Sequence, residues 1–167
     1  MAGGSGALKE RLRSWVLVIG VAQVLFGCLV GFIPPTAVPW FRGIVMAHVE
    51  FTANGVLMIA IGLIARELRL GAAALYVWFW TLIVGTWTNG AAGVVGAFVG
   101  QSSRLMPTLN QTFPAPGGLD DPRVTGLLVV CGITITIALV LSLVGLIRGS
   151  LMKSPDAVTA TYEVAHR

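Results

Sequence analysis

The side chains in this chain that can do chemistry fall mainly in two short stretches. Met46-Ala47-His48-Val49-Glu50-Phe51-Thr52-Ala53-Asn54-Gly55 carries an imidazole, a carboxyl and an amide, and Trp87-Thr88-Asn89-Gly90 carries a second amide. Imidazole is the commonest metal ligand and a usual axial ligand of haem iron. His48 is one of two histidines, and the other, His166, lies in a polar C-terminal stretch. On a helix turning about 100° per residue, Thr52 and Gly55 follow His48 on one face. A bulky ring followed by small residues leaves a shelf for a flat macrocycle, with His48 as metal ligand and Thr52 and Gly55 beneath it. Glu50 points away from that face, and Asn54 lies about 120° around from His48. A plainer reading fits the same spacing: His48 and Asn54 as polar glue between helices, with small residues permitting close packing. A structural zinc site needs four nitrogen or sulfur ligands, which one such histidine and two distant cysteines cannot assemble. A bis-histidine haem would need a second histidine in the apolar part of the chain. Any haem here therefore takes one protein ligand per chain and leaves its sixth position open, which suits binding or chemistry over electron transfer.

Membrane helices must hold these residues. Of the 167 residues 56% are hydrophobic and 11% charged, where a soluble domain carries roughly a quarter charged residues. A core this small cannot hide so much apolar surface, so the natural solvent is the lipid bilayer. The net charge of +4 comes without a basic patch interleaved with aromatics, which argues against a nucleic-acid partner. Cys28 and Cys131 both lie in apolar runs, which argues against a disulfide framework. Four segments have the roughly 20 apolar residues a span requires: 15–33, 43–65, 71–99 and 124–147. They do not alternate as barrel strands do. The expected fold is an all-α integral membrane protein, a four-helix transmembrane bundle over residues 1–148 followed by a polar tail, 149–167. The third span is longer than the bilayer needs, so it must tilt, kink or project.

Pro34, Pro35 and Pro39 break the chain after span one. The second connection is the short Arg66-Glu67-Leu68-Arg69, and the third, Gly100 to Arg123, is long enough to be functional or ordered by a partner. Lys9, Arg11, Arg13, Arg66, Arg69, Arg148, Lys153 and Arg167 share one side if the spans alternate, against Arg42, Arg104 and Arg123 on the other. The positive-inside rule then puts both termini in the cytoplasm of a multi-pass cell (inner) membrane protein. Leu25-Phe26-Gly27-Cys28 hints at a lipoprotein cleavage box, but the apolar run continues past Cys28, which favours a retained span.

Glu50 is the only charged residue within any of the four spans, and such residues are functional candidates by default. Three roles stand open for it: handling a proton, being held neutral by desolvation, or reaching the outer headgroups. Trp78, Trp80 and Trp87 read as packing or lipid-facing residues, and Gly93, Gly96 and Gly100 as a close helix contact.

The stretch from Ala47-His48 through Asn54-Gly55 and its following apolar run resembles the second span of the styrene oxide isomerase family. Trp87-Thr88-Asn89 resembles the family's Trp-Ser-Asn in span three, and Asn110-Gln111 its Asn-Gln segment ahead of span four. The resemblance implies a membrane-embedded homotrimer binding haem b between subunits, with His48 as axial ligand to iron, in its ferric state. It implies conversion of a small apolar epoxide, styrene oxide or a relative, to an aldehyde by Meinwald rearrangement. Asn54 would contact the substrate oxygen through an amide N–H, and Asn89 would belong to the pocket wall. With Glu50 these form the catalytic set expected. Three positions depart from the family pattern: Gly85 stands for an Asp, Gly93 for a Tyr, and Glu50 for a small residue. From a different class, a non-enzymatic haem carrier or sensor, or a small-solute channel using Glu50 and the asparagines, is the alternative.

Overall fold

The structure, a computed structural model, describes residues 3–151; the remainder of the polar tail, with His166, lies outside the described residues. Four long helices dominate: α1 (Gly3–Val30), α2 (Phe41–Ile64), α3 (Ala72–Val99) and α5 (Pro122–Leu151), with a short α4 (Pro107–Thr112) in the third loop. All four long helices are apolar enough and long enough to cross a membrane. α1 begins well before the expected first span and stops earlier, at Val30, where the chain turns ahead of the proline pair; α2 and α3 match the expected limits to within two residues, and α5 extends beyond its span at both ends. At about 1.5 Å per residue these helices exceed a hydrocarbon core of about 30 Å, so their ends project or tilt.

α1, α2 and α3 pack against one another, and α5 packs on α3. Small residues make the closest contacts. A Cβ on Gly43 would fall 2.7 Å from Gly93 O, and one on Gly93 would fall 2.8 Å from Ala47 N, so α2 and α3 meet backbone to backbone. Gly93 therefore serves the close contact read from its spacing. Gly100 ends α3 in the left-handed conformation (φ 71°), its N–H returned to Gly96 O. One core cluster fills the end of the bundle near the chain termini around Trp78, Leu75, Leu82 and Met58. A second, around Ile44, Ala47, Phe51 and Ala97, lies toward the other end. Trp78 is fully buried with its indole N–H on Ser142 Oγ, Trp80 is exposed, and Trp87 packs with Phe26 and Phe51.

α1 is part of the bundle along its length. Lys9 Nζ bonds Arg66 O at 2.7 Å, Gln23 Nε2 bonds Thr86 O at 2.9 Å, and His48 reaches Gly27 O. The α2–α3 turn lies beside the ends of α1 and α5, since Arg69 N also bonds Gly145 O. Lys9, Arg11, Arg13, Arg66, Arg69 and Arg148 thus gather at one end and Arg42, Arg104 and Arg123 at the other. The long third loop is ordered by its own bonds. Asn110 bridges Ser102 Oγ (2.6 Å) and Ser103 O (2.7 Å), Arg104 pairs with Asp120, and Asp121 caps α5 through the backbone N–H groups of Arg123 and Val124. Asn110 is a loop-fixing residue in this chain.

Candidate functional site

His48 lies in the first half of α2, where the spacing Gly27-Cys28-Leu29-Val30-Gly31 brings α1 onto it. A Cβ on Gly27 would come 2.7 Å from Thr52 Oγ1, and one on Gly31 would come 2.8 Å from His48 Nδ1. With both side chains absent, the imidazole reaches across so that Nδ1 sits 2.8 Å from Gly27 O. A carbonyl oxygen only accepts, so Nδ1 carries the proton, and the neutral ring keeps its lone pair on Nε2. Nε2 has no hydrogen bond to any described residue. This is the arrangement of metal-ligating histidines, whose second ring nitrogen is tied to a carbonyl or carboxylate that sets tautomer and orientation. His48 borders an apolar cavity of about 360 Å³ between α1 and α2, with Cys28, Gly31, Phe32, Phe41, Ile44 and Val45. Cys28 and Phe32 are exposed, so the cavity opens on the outer side of the helix pair. Among the described residues no three His, Cys, Asp or Glu come together around a bare ion. The donor set is one oriented imidazole at an apolar wall, which fits a porphyrin iron.

The shelf expected beneath His48 is filled differently. Thr52 gives its hydroxyl to His48 O at 2.8 Å. Gly55 is buried against α1, where a Cβ would lie 2.8 Å from Gly20 O and 2.7 Å from Val24 Cγ2. Thr52 and Gly55 therefore admit α1 rather than a macrocycle within one chain. The physical reason is economy of contact: backbones without side chains between them approach closest, and the nearest helix takes the space.

Glu50, Asn54 and Asn89 come together elsewhere. The Asn54 amide Nδ2 lies 3.4 Å from Glu50 Oε2, and the Asn89 amide Nδ2 donates to the same oxygen. The two Asn-Gly dipeptides thus converge from α2 and α3 on one carboxyl. Glu50 lies about 160° around the helix from His48, and Asn54 about 120°. The imidazole and the polar cluster consequently occupy different sides of α2. Glu50 also borders a second cavity of about 460 Å³ beneath the third loop, with Arg42, Val49 and residues of α4.

The side chains that the family resemblance would put at positions 85 and 93 have no room in this chain. A Cβ on Gly85 would meet Ile135 N at 2.8 Å, and Gly93 lies on the α2 backbone. Helix contacts close over both positions. Sequence reasoning missed Gly27 and Gly31, which seat the imidazole, and Cys28, which borders its cavity. The small-xxx-small spacing of the two glycines was the available signal. It missed the cavity under the third loop altogether, because no spacing rule connects residue 50 to residues 105–109.

Fold and site define a multi-pass α-helical membrane protein with an oriented imidazole and a separate carboxyl–amide cluster in its spans. The family model of styrene oxide isomerase matches residues 12–147, and the chain belongs to that family. It is also 34% identical over 92 residues to hydroxylaminobenzene mutase HabB of Ectopseudomonas oleovorans. That match covers 55% of this chain and 56% of the relative, so the chain spans little more than half of the relative's length. No solved structure matches the chain.

Proposed function

We propose that this protein is a haem-dependent membrane isomerase that converts an aryl epoxide such as styrene oxide to the corresponding aldehyde. The observation that carries the reading is His48 itself, its Nδ1 fixed on Gly27 O and its Nε2 directed to no protein partner. His48 would hold the iron of haem b. A haem held there would supply Lewis-acid chemistry suited to opening an epoxide. The chain's own contribution is to orient, to exclude water and to leave the rearrangement undisturbed. A hydride moves between neighbouring carbons of the substrate, so no external base, oxidant or reductant takes part. Water would divert the opened ring to a diol, and the apolar wall of Phe32, Phe41, Ile44 and Val45 keeps it away.

Within one chain the His48 cavity lacks an outer wall, and the polar cluster faces another side of α2. A homo-oligomer, a trimer by family resemblance, would let Asn54 and Asn89 of one copy serve the haem of its neighbour. The basic end of the bundle would face the cytoplasm with both termini, in the cell's inner membrane. Similarity to a hydroxylaminobenzene mutase supports a second reading, rearrangement of an N-aryl hydroxylamine at the same site. Both reactions leave the molecular formula unchanged.

The deciding experiment is an absorption spectrum of the protein purified after haem-replete expression. The expected result is a Soret band that His48→Ala abolishes, followed by phenylacetaldehyde formation from styrene oxide. A coloured protein inactive on styrene oxide and on hydroxylaminobenzene would be a carrier or sensor. A colourless protein would point to the channel or packing roles.

A further inference from the structure

Toward the basic end of the bundle, α1 and α3 leave an apolar groove of about 460 Å³ between them. Arg11, Trp15 and Ile19 line it from α1, and Tyr76, Trp80 and Ile83 from α3. Leu12 and Phe79, both buried in the core, lie at its floor. On each helix the lining residues recur at steps of three or four, so each presents one continuous stripe to the groove. These stripes are not consumed by packing: Trp15 is 51% exposed, Tyr76 50% and Trp80 59%.

Arg11 stands one turn ahead of Trp15 and is exposed. Its neighbours are engaged elsewhere, Lys9 on Arg66 O and Arg13 on Gly62 O, and Glu10 is taken by Arg13 and Arg66. Arg11 meets no carboxylate among the described residues. From Arg11 the groove descends about 12 Å along α1 to Ile19, which stays within one leaflet of a hydrocarbon core about 30 Å thick. A cation at the water level, amphipathic rings at the headgroup level and an apolar channel beneath them match the parts of an anionic lipid in order. Size favours the same occupant. A helix is about 10–12 Å across with its side chains, so this groove would hold little more than one of its turns, whereas a single acyl chain can lie along it.

We propose that this groove is a binding site for one anionic phospholipid, its phosphate on Arg11 and an acyl chain between Trp15 and Trp80. The lipid completes the packing of α1 against α3. The site involves neither His48 nor the Glu50 cluster, so it stands or falls apart from the isomerase reading.

Native mass spectrometry of the purified full-length protein in detergent tests it. The protein is titrated separately with palmitoyl-oleoyl phosphatidylglycerol and phosphatidylcholine, which share acyl chains and differ in net headgroup charge. The wild type binds its first phosphatidylglycerol per chain about fivefold more tightly, the scale of one basic side chain at an anionic surface. Arg11→Gln removes that preference and Arg11→Lys retains it. Arg148→Gln, at the same end of the bundle but outside the groove, also retains it. Ile19→Trp fills the deep end and weakens both lipids alike. Absence of a preference in the wild type, or a loss in Arg148→Gln as large as in Arg11→Gln, overturns the proposal. A multimer that Ile19→Trp dissociates, with no lipid retained by the wild type, overturns it in favour of a second copy of the chain in the groove.

Discussion

Gly31 controls the imidazole more directly than any ligand-lining side chain. The space a Cβ would take there lies 2.8 Å from His48 Nδ1 and 3.3 Å from Cε1, so any larger residue must push the ring off Gly27 O. Gly31→Val should keep the helical fold, since residue 31 follows the last turn of α1, yet lower haem retention about tenfold, within the range for losing an outer-shell contact. Circular dichroism beside the Soret absorbance of the same sample checks it. Retention equal to wild type would mean that the Gly27 contact does not hold the ring. Glu50 illustrates the complementary case, in which one carboxyl oxygen engages the amides of both Asn54 and Asn89.

The helix ends show how elements are fixed where the bilayer stops. Asp121 caps α5, accepting from Arg123 N at 2.9 Å and Val124 N at 3.1 Å, and Pro122 supplies a first residue that has no N–H to satisfy. The Arg123 side chain bonds the same carboxyl and holds it below the usual carboxylate range, against the opposing effect of burial. A lowered folded-state value means that the unfolded chain takes up the proton first on acidification. The stabilisation is then complete above the ordinary aspartate value of about 3.9 and is lost as pH falls through the lowered one. Thermal unfolding of the wild type should therefore weaken more as pH falls below about 4 than that of Asp121→Asn, which caps without titrating. Asp121→Ala should cost about 1 kcal/mol at neutral pH through loss of the cap. Equal acid sensitivity of wild type and Asp121→Asn would show that the carboxyl does not titrate as described.

Much of the molecule's outer surface is apolar side chain. Val129, Ile133, Val140, Leu143 and Ile147 on α5, and Trp15, Val18, Leu25 and Leu29 on α1, are all exposed in the single chain. Lipid or another copy must cover them. The angular separation of His48 from Asn54 makes a specific demand on such an assembly, since a ligand held by one would meet the other most readily across a chain boundary. Mixing His48→Ala chains with Asn54→Ala chains should restore part of the isomerase activity that each lacks alone. No recovery at any ratio would place the whole site within one chain. Orientation is tested separately by labelling an introduced cysteine at Arg69 or Arg104 in a variant lacking Cys28 and Cys131, the first being inaccessible from outside the intact cell.

Local patterns carried a large part of this protein. Unbroken apolar runs require helices in lipid because backbone polar groups there have only one another to bond. The proline pair, the charged turn and the long loop mark where those helices stop. His48, Glu50, Asn54 and Asn89 stood out because a polar group in a span is costly. Which of them meet was a tertiary decision. Periodicity gives the angle of a residue on its own helix but not the neighbour that helix will take. The convergence of Asn54 and Asn89 on Glu50, the filling of the Thr52–Gly55 stripe by α1 and the cavity under the third loop all depended on which backbones could approach most closely. That was settled by glycines on two facing helices at once, a relation between distant segments that no single stretch of sequence contains.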